Sequence, residues 1–186
     1  HPKNRWLTIP EIYTYSSNIG TARMVMAVGK ERQQAFLHKL GLMDDKVNIE
    51  LPELGQPQYP KNWSQISAIT ISYGHGMAVT PLHLIRAFAA IVNGGTQENL
   101  TLIKDGNAGK PAPERILKDA TSREMRRLTR LVVQFGTGKQ ADVPGYRVGG
   151  KTGTAEKVKS TGGYSHHSNL SLFLSTFPVD DPKYIV

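Results

Sequence analysis

The sequence GGKTGT, residues 149–154, combines a lysine, two threonines and three glycines in a stretch of strand character. Side chains of a strand alternate between its faces, so Lys151 and Gly153 share one face while Thr152 and Thr154 share the other. A glycine inside a strand lets a ligand approach the backbone closely. A cation, hydroxyls and edge N–H groups together suit the capture of a carboxylate. The alternative interpretation is a solvent-facing edge strand whose lysine prevents aggregation.

A second polar cluster, Ser16-Ser17-Asn18, lies near the start of the chain. It follows a short stretch of helical character and precedes a longer one. By itself an S-x-N triplet is typical of a helix start, because a serine or asparagine oxygen accepts a backbone N–H there. The triplet therefore points to a functional site only in combination with another motif.

The order of the predicted elements indicates the fold class. Thr80-Pro81 is a typical helix start, because a proline at the first helical position loses no hydrogen bond. The predicted helices span 10–15, 19–28, 30–40, 81–93 and 121–135, and a long irregular loop is predicted over 44–66. Strands are predicted over 146–158, 170–177 and 184–186, with turn residues at 178–182. Helices followed by adjacent strands predict an α+β domain with an antiparallel sheet.

Apolar stripes in these helices predict which side chains face the core. Thr121 is predicted to cap the last helix, because Glu124 follows it at capping-box spacing. The residues expected to be buried are Phe36, Leu37, Leu40, Leu82, Ile85, Phe88, Ala89, Val92, Met125, Leu128, Leu131, Val132 and Phe135.

Composition excludes several classes of function. Hydrophobic residues make up 39% of the 186 residues, enough for a packed core. The sequence contains no cysteine, which excludes disulfides, thiolate metal sites and a cysteine nucleophile. The net charge of +8 is scattered, without a basic stripe interleaved with aromatics, so we expect no nucleic-acid binding. No apolar run approaches the roughly 18–20 residues that span a bilayer.

The two polar clusters resemble motifs shared by class A β-lactamases and penicillin-binding proteins. Ser16-x-Asn18 is followed, more than a hundred residues later, by the K-T-G triplet at 151–153, in the order found in penicillin-binding proteins. YGHGMAVTPL at 73–82, GTGKQA at 136–141, PGY at 144–146 and GKTGTAEK at 150–157 resemble further segments of class B penicillin-binding proteins. The resemblance covers nearly the whole chain and is closest to the septal, cell-division members.

The resemblance implies a β-lactamase/transpeptidase-like fold of the α+β class. We expect a mostly helical part over residues 1–140 and a sheet part, which holds the K-T-G strand, over 141–186. Since further strands and helices of the family domain would lie outside the chain, we expect a helical subdomain plus part of an antiparallel sheet, incomplete at both ends.

The resemblance also implies a chemistry. Family members are D,D-transpeptidases, which cross-link peptidoglycan stem peptides through a serine acyl-enzyme and are acylated by β-lactams. By this likeness Ser16 would pass a proton between the catalytic lysine and the leaving amine. Asn18 would hold the substrate amide and help orient that lysine, and Lys151 would supply positive charge beside Ser16.

The K-T-G strand would bind the other end of the substrate. Thr152 and Thr154 would hold the terminal carboxylate, and Gly153 would let the substrate approach the strand. The backbone N–H of Thr154 would form half of the oxyanion hole. The resemblance implies no metal and no cofactor.

One family motif is missing from the sequence. S-x-x-K, which holds the nucleophile and the general base in the family, occurs nowhere in the chain. We expect it upstream of His1, together with a membrane anchor that places the parent protein on the periplasmic side of the bacterial inner membrane. The expected partners of the complete domain are peptidoglycan stem peptides, β-lactams and division proteins. An open sheet edge and uncovered apolar surface predict self-association of the chain.

Two other functions stay open at this stage. Residues 145–152, GYRVGGKT, satisfy the G-x-x-x-x-G-K-T pattern of a nucleotide-binding P-loop. A P-loop needs a buried strand before it and a helix after it, whereas Pro144 precedes the pattern and Gly162-Gly163 interrupt any helix downstream. The second alternative is a non-catalytic sensor module of the same fold that recognises penicillin.

Fluorescent penicillin should not label the isolated chain, because the serine that β-lactams acylate in this family belongs to the missing motif. We expect no covalent band at the mass of the chain after denaturing electrophoresis. An intact penicillin-binding protein in the same gel serves as the positive control. A covalent band on the isolated chain would contradict this expectation.

Overall fold

Helices precede a larger sheet along the chain. The computed structural model describes residues 3–104, 110–158 and 164–186, and for 155–158 and 164–169 the backbone alone. The helices are α1 (Ile9–Thr14), α2 (Asn18–Val28), α3 (Lys30–Lys39), α4 (Gln65–Ser72), α5 (Pro81–Val92) and α6 (Asp119–Phe135), with a 3₁₀ turn at Lys139–Ala141. The strands are β1 (Thr96–Gln97), β2 (Glu114–Arg115), β3 (Gly149–Val158), β4 (Tyr164–Phe177) and β5 (Tyr184–Ile185). The predicted α+β class is confirmed.

The larger sheet is antiparallel and has the strand order β3-β4-β5. Lys151 lies opposite Leu174 and Thr152 lies opposite Phe173, so the K-T-G residues occupy regular ladder positions. The predicted turn residues at 178–182 connect β4 to β5, and the two strands pair as an antiparallel hairpin. Within the sheet as described, β3 is an edge strand, and its free side is available to neighbouring helices or to a ligand.

Two glycines of β3 let the sheet pack tightly. A Cβ at Gly149 would lie 2.5 Å from Val179 Cγ2 and 2.7 Å from Thr129 Oγ1 of α6. A Cβ at Gly150 would lie 2.5 Å from the Phe173 ring. Such distances are shorter than van der Waals contact, so both positions require glycine for packing. Gly149 therefore lets α6 pack directly against the start of β3, and Gly150 makes room for the Phe173 ring of β4.

The end of α6 contacts α1 through their backbones. Gly136 ends α6, as predicted, and a Cβ there would lie 2.2 Å from the Thr14 carbonyl oxygen. Two residues later, a Cβ at Gly138 would lie 3.1 Å from the Phe173 ring of β4. The turn after α6 is thus held between α1 and the sheet, which fixes α1 relative to β3.

The long loop after α3 is tied to the helices. Trp63 is buried, and its Nε1 donates to Gln33 Oε1 at 3.3 Å. His83 of α5 is fully buried; its Nε2 lies 3.0 Å from the Asp44 carbonyl and its Nδ1 lies 2.7 Å from Thr80 Oγ1. The loop is therefore anchored at both ends, near Asp44 and at Trp63.

Several element boundaries differ from the predictions. The last helix begins at Asp119 with Lys118 as N-cap, so the predicted cap at Thr121 is wrong: Thr121 already lies inside the helix. α4 was not predicted, and β4 begins at Tyr164 instead of 170.

Some predicted core residues are exposed. Phe36 and Phe135 are 40% and 59% exposed, and no residue of α3 is fully buried. In α5, Leu82, Ile85 and Ala89 are half-buried, while Phe88 and Val92 are buried as predicted. The buried stripe of α5 is shifted because His83, Ala87 and Ala90 also face inward.

Apolar side chains are exposed in two places. Trp6, Ile9 and Ile19 lie around α1 and the start of α2, and Leu170 and Leu172 lie on the outer face of β4. Self-association through such surfaces stays a prediction. Within the described residues, no helix has both the length and the apolar character needed to cross a membrane.

Replacing Gly136 by alanine should destabilise the fold. The φ of −107° suits alanine, so the clash with Thr14 sets the cost, about 1–3 kcal/mol. The reduced freedom of the unfolded chain offsets at most about 1 kcal/mol. Since the obstructing atom is a backbone oxygen, the clash costs the upper part of that range, about 2–3 kcal/mol, and we expect the free energy of unfolding in urea to fall by about 1–3 kcal/mol.

Gln134→Ala, an exposed change in the same helical turn, is the matched control and should alter the free energy of unfolding by less than about 0.5 kcal/mol. If Gly136→Ala were as stable as the control, the proposed backbone contact between α1 and α6 would be wrong.

Candidate active site at the edge of the sheet

The S-x-N triplet forms the turn between α1 and α2. Thr8 starts α1 in a capping box with Glu11, and Ser17 caps α2 by accepting the Gly20 N–H at 3.2 Å. The capping interpretation therefore applies to Ser17. Ser16 has a φ of +52°, the left-handed region that residues other than glycine rarely adopt. The Ser16 hydroxyl caps neither helix, and the conformation of the turn sets its position.

The Lys151 side chain reaches this turn. Its Nζ donates a hydrogen bond to Ser16 Oγ, across 135 positions of sequence, and another to the Thr152 carbonyl at 3.1 Å. The same Nζ lies 5.9 Å from the centre of the Tyr13 ring. The ammonium is therefore held between a hydroxyl, a carbonyl and an aromatic face.

Burial changes the acidity of two groups here. Removal from water lowers the pKa of Lys151, because a low-dielectric environment disfavours the charged amine. Burial raises the pKa of Tyr13 to about 12, so its phenol stays neutral at ordinary pH. The site therefore contains an ammonium that releases its proton more readily than an exposed lysine does.

Hydroxyl groups line the strand side of the site. Thr152 and Thr154 are two residues apart on β3 and share a face, as predicted. Thr152 Oγ1 lies 2.6 Å from Thr137 Oγ1, which the turn after α6 supplies. Thr154 is exposed. A hydroxyl group can donate one hydrogen bond and accept others, so the Thr152 and Thr154 hydroxyls keep hydrogen-bonding capacity beyond the contact with Thr137.

These groups surround one cleft of about 610 Å³. All six predicted site residues line this cleft. Its described lining residues are Ser16, Asn18, Thr21, Ser72, Tyr73, Gly74, His75, Thr137, Lys151, Thr152, Gly153 and Thr154. The Tyr73 and His75 rings meet edge to face, 5.7 Å apart. The cleft thus contains a cation, several hydroxyls and an amide, a set of groups suited to binding and transferring acyl groups.

Sequence reasoning missed several of these residues. Thr137 and Tyr13 contact predicted site residues, and Thr21 and Ser72 also line the cleft. Tyr13 lies three positions before Ser16, a spacing that carries no motif. Thr137 lies within the GTGKQA segment, which the resemblance identified without giving this residue a role.

The P-loop interpretation is wrong. β3 is extended from Gly149 to Val158, so the G-K-T residues lie in a ladder with β4. A P-loop instead curls its backbone N–H groups around phosphate and continues into a helix.

Comparison with known proteins identifies the family. The model of the penicillin-binding protein transpeptidase domain matches residues 1–186. The chain is 39% identical to the probable peptidoglycan D,D-transpeptidase FtsI of Caulobacter vibrioides, over 98% of this chain and 31% of the relative. It is 32% identical to the stage V sporulation protein D of Bacillus subtilis, over 96% of this chain and 29% of the relative.

The similar solved structures belong to penicillin-binding proteins as well. The transpeptidase domain of Burkholderia pseudomallei penicillin-binding protein 3 superposes with a TM-score of 0.87 at 34% identity, covering 96% of this chain and 54% of that one. Penicillin-binding protein 3 of Mycobacterium tuberculosis, solved with ampicillin, gives 0.88 at 30% identity, covering 96% and 43%. The chain spans about a third of the length of these curated relatives and about half of the solved chains. By sequence and by fold, the chain belongs to the penicillin-binding protein transpeptidase domain family.

Proposed function

We propose that this chain forms two walls of the active site of a peptidoglycan D,D-transpeptidase, a serine enzyme that cross-links stem peptides and is acylated by β-lactams. The observation that carries the proposal is the contact between Lys151 Nζ and Ser16 Oγ inside a cleft lined by threonine hydroxyls. The relatives' names support it, since they include D,D-transpeptidases and a penicillin-binding protein solved with ampicillin.

The reaction has two acyl-transfer steps. A serine of the S-x-x-K motif, from outside this chain, attacks the carbonyl between the two terminal D-alanines of a stem peptide. A C–O bond forms, the C–N bond breaks, and the serine proton passes to the leaving amine of D-alanine by way of the neighbouring lysine. The amine of a second stem then attacks the ester, forms the cross-link and returns the proton to the serine.

Ser16 is positioned to relay that proton. Because its oxygen accepts a hydrogen bond from Lys151 Nζ, its own O–H is free to point into the cleft and donate to the leaving amine. The nearby positive charge favours any negative charge that develops on this oxygen. Asn18 lines the cleft beside it, and its side-chain amide can both donate to and accept from the substrate amide.

The strand side binds the carboxylate of the terminal D-alanine. Thr152 and Thr154 offer hydroxyl donors on one face, and Lys151 adds positive charge. Thr137 Oγ1 lies 2.6 Å from Thr152 Oγ1, and either hydroxyl can be the donor; when Thr137 donates, the Thr152 proton is left for the substrate carboxylate. The backbone N–H of Thr154 is half of the oxyanion hole, and Gly153 keeps the edge of β3 open to the substrate.

We also propose a septal role for the parent protein on the periplasmic side of the inner membrane. The 39% identity to an FtsI protein supports this assignment. A membrane anchor and contacts with division proteins would then lie in regions outside this chain.

A hybrid enzyme tests the proposed function. In the Caulobacter vibrioides FtsI, the matched third of the protein is replaced by this chain, which restores the remaining parts of the domain. We expect fluorescent penicillin to label the hybrid covalently, and the hybrid to release D-alanine from a D-Ala-D-Ala donor peptide when an acceptor amine is present.

Lys151→Met and Ser16→Ala should each slow acylation of the hybrid by about 10²–10⁴-fold, the range for losing one proton-transfer group. Lys46→Met, an exposed change away from the cleft, is the matched control and should acylate at the parent rate. A folded hybrid that stays unlabelled would refute the proposal. Labelling without release of D-alanine would favour the sensor alternative.

The stability of the chain should also depend on Lys151 and pH. Burial lowers the pKa of Lys151 in the folded chain below its ordinary value of 10.5, so the unfolded chain binds this proton more tightly. Below the Lys151 pKa of the folded chain, the buried ammonium destabilises the fold by its full amount. The free energy of unfolding therefore rises with pH between the Lys151 pKa of the folded chain and that of the unfolded chain. We expect the free energy of unfolding of the wild type, minus that of Lys151→Met, to increase from pH 7 to pH 10.

Urea unfolding at several pH values measures this difference, and Lys46→Met controls for the loss of one positive charge elsewhere on the surface. A difference between the wild type and Lys151→Met that stays constant with pH would contradict the expected effect of burial.

A further inference from the structure

One face of α6 carries a stripe of arginines. Arg123, Arg126, Arg127 and Arg130 follow the spacing i, i+3, i+4 and i+7, which places them together on a helix. Arg147, from the segment before β3, lies opposite them, and the five side chains line a cavity of about 340 Å³. This arginine cavity holds half of the ten arginines of the chain. Among the described residues no lysine lines it.

The two inner arginines keep free hydrogen-bonding capacity. Arg126 Nη1 donates to the Val92 carbonyl at 3.0 Å, and Arg130 Nη1 donates to Asp142 Oδ1 and the Val148 carbonyl, both at 2.9 Å. Arg130 Nε is buried and has no hydrogen-bond partner among the described residues. A buried donor without a partner is costly, more so on a charged group.

The outer arginines carry weak ion pairs. Arg123 and Arg127 pair with carboxylates of their own helix, and Arg147 pairs with Asp180 across the cavity mouth. All six side chains are more than half exposed, so each pair contributes at most about 1 kcal/mol. A guanidinium has five N–H donors, so these pairs leave donors unused. Among the described lining residues, Asp180 is the one carboxylate against five guanidinium groups.

We propose that the arginine cavity is a binding site for a phosphate group. Planar guanidinium forks match the oxygens of phosphate in pairs, which lysine cannot do. A phosphate with close to two negative charges competes for Arg127 and Arg147 better than their singly charged carboxylates do. The cavity shares no described lining residue with the cleft that holds Lys151, so the two sites can be tested separately.

Inorganic pyrophosphate is the probe for this site. NMR titration of the chain, at constant ionic strength, should give saturable shifts at the Arg130 Nε–H and along the arginine face of α6. Arg126→Gln should weaken binding at least tenfold. Arg32→Gln removes the same charge from the exposed face of α3 and should bind like the wild type. Shifts that never saturate, or equal binding by Arg126→Gln, would overturn the proposal.

A second variant guards against misfolding. If Arg126→Gln does not melt cooperatively, Arg147→Gln replaces it, because Arg147 is exposed and lies outside the helices and strands. Arg147→Gln should weaken pyrophosphate binding several-fold. Unchanged binding by this variant would overturn the proposal.

Vesicle flotation identifies the source of the phosphate. Binding to vesicles that contain phosphatidic acid, a phosphomonoester, but not to phosphatidylcholine vesicles, lost in Arg126→Gln, assigns a lipid headgroup. Pyrophosphate binding without vesicle binding assigns a soluble phosphate. If the chain binds neither probe, the proposal is wrong.

Discussion

The hydrogen bond between Lys151 and Ser16 joins the two halves of this molecule. It connects an edge strand to the turn between two helices, and its partners are 135 positions apart in sequence. The contact exists only when α1, α6 and β3 are docked together. Close approaches at Gly136 and Gly149 set that docking, because a side chain at either position would push α6 away from α1 or from the strand. Packing at glycines thus determines the polar geometry of the cleft.

The described groups in contact with the Lys151 ammonium are all uncharged. A hydroxyl, a carbonyl and an aromatic ring surround the Lys151 ammonium, and burial lowers its pKa. A carboxylate held beside it would have had the opposite effect on the pKa. Among the described residues, no carboxylate is paired with the Lys151 ammonium, so an anion that enters the cleft would meet an uncompensated positive charge. On the strand side of the cleft, the contact between the Thr137 and Thr152 hydroxyls likewise involves two uncharged groups.

The sequence predicted helix ends correctly where the terminal residues have a strong preference for starting or ending a helix. Thr80-Pro81 begins α5, and Gly136 ends α6, as predicted. α4 was missed because its apolar residues form no clear stripe: Ile66 is 74% exposed while Ala68 is buried. The start of α6 was misplaced because Thr121 and Glu124 imitate a capping box one turn inside the helix.

The site could be predicted only where motifs exist. The residues of S-x-N and K-T-G were identified from sequence, whereas Thr137 and Tyr13 enter the cleft through tertiary packing that no local pattern encodes. Local spacing cannot reveal such contacts, because the turn after α6 is positioned by Thr14 and Phe173, residues more than thirty positions away.

The backbone of Ser16 has a consequence for engineering. A left-handed conformation costs a serine about 1–2 kcal/mol relative to glycine. Selection for heat resistance alone would therefore favour glycine at position 16 and would discard the hydroxyl. If the proposed role of Ser16 holds, a library designed for thermostability should keep this position constant, since backbone strain and the need for a hydroxyl then make opposite demands on one residue.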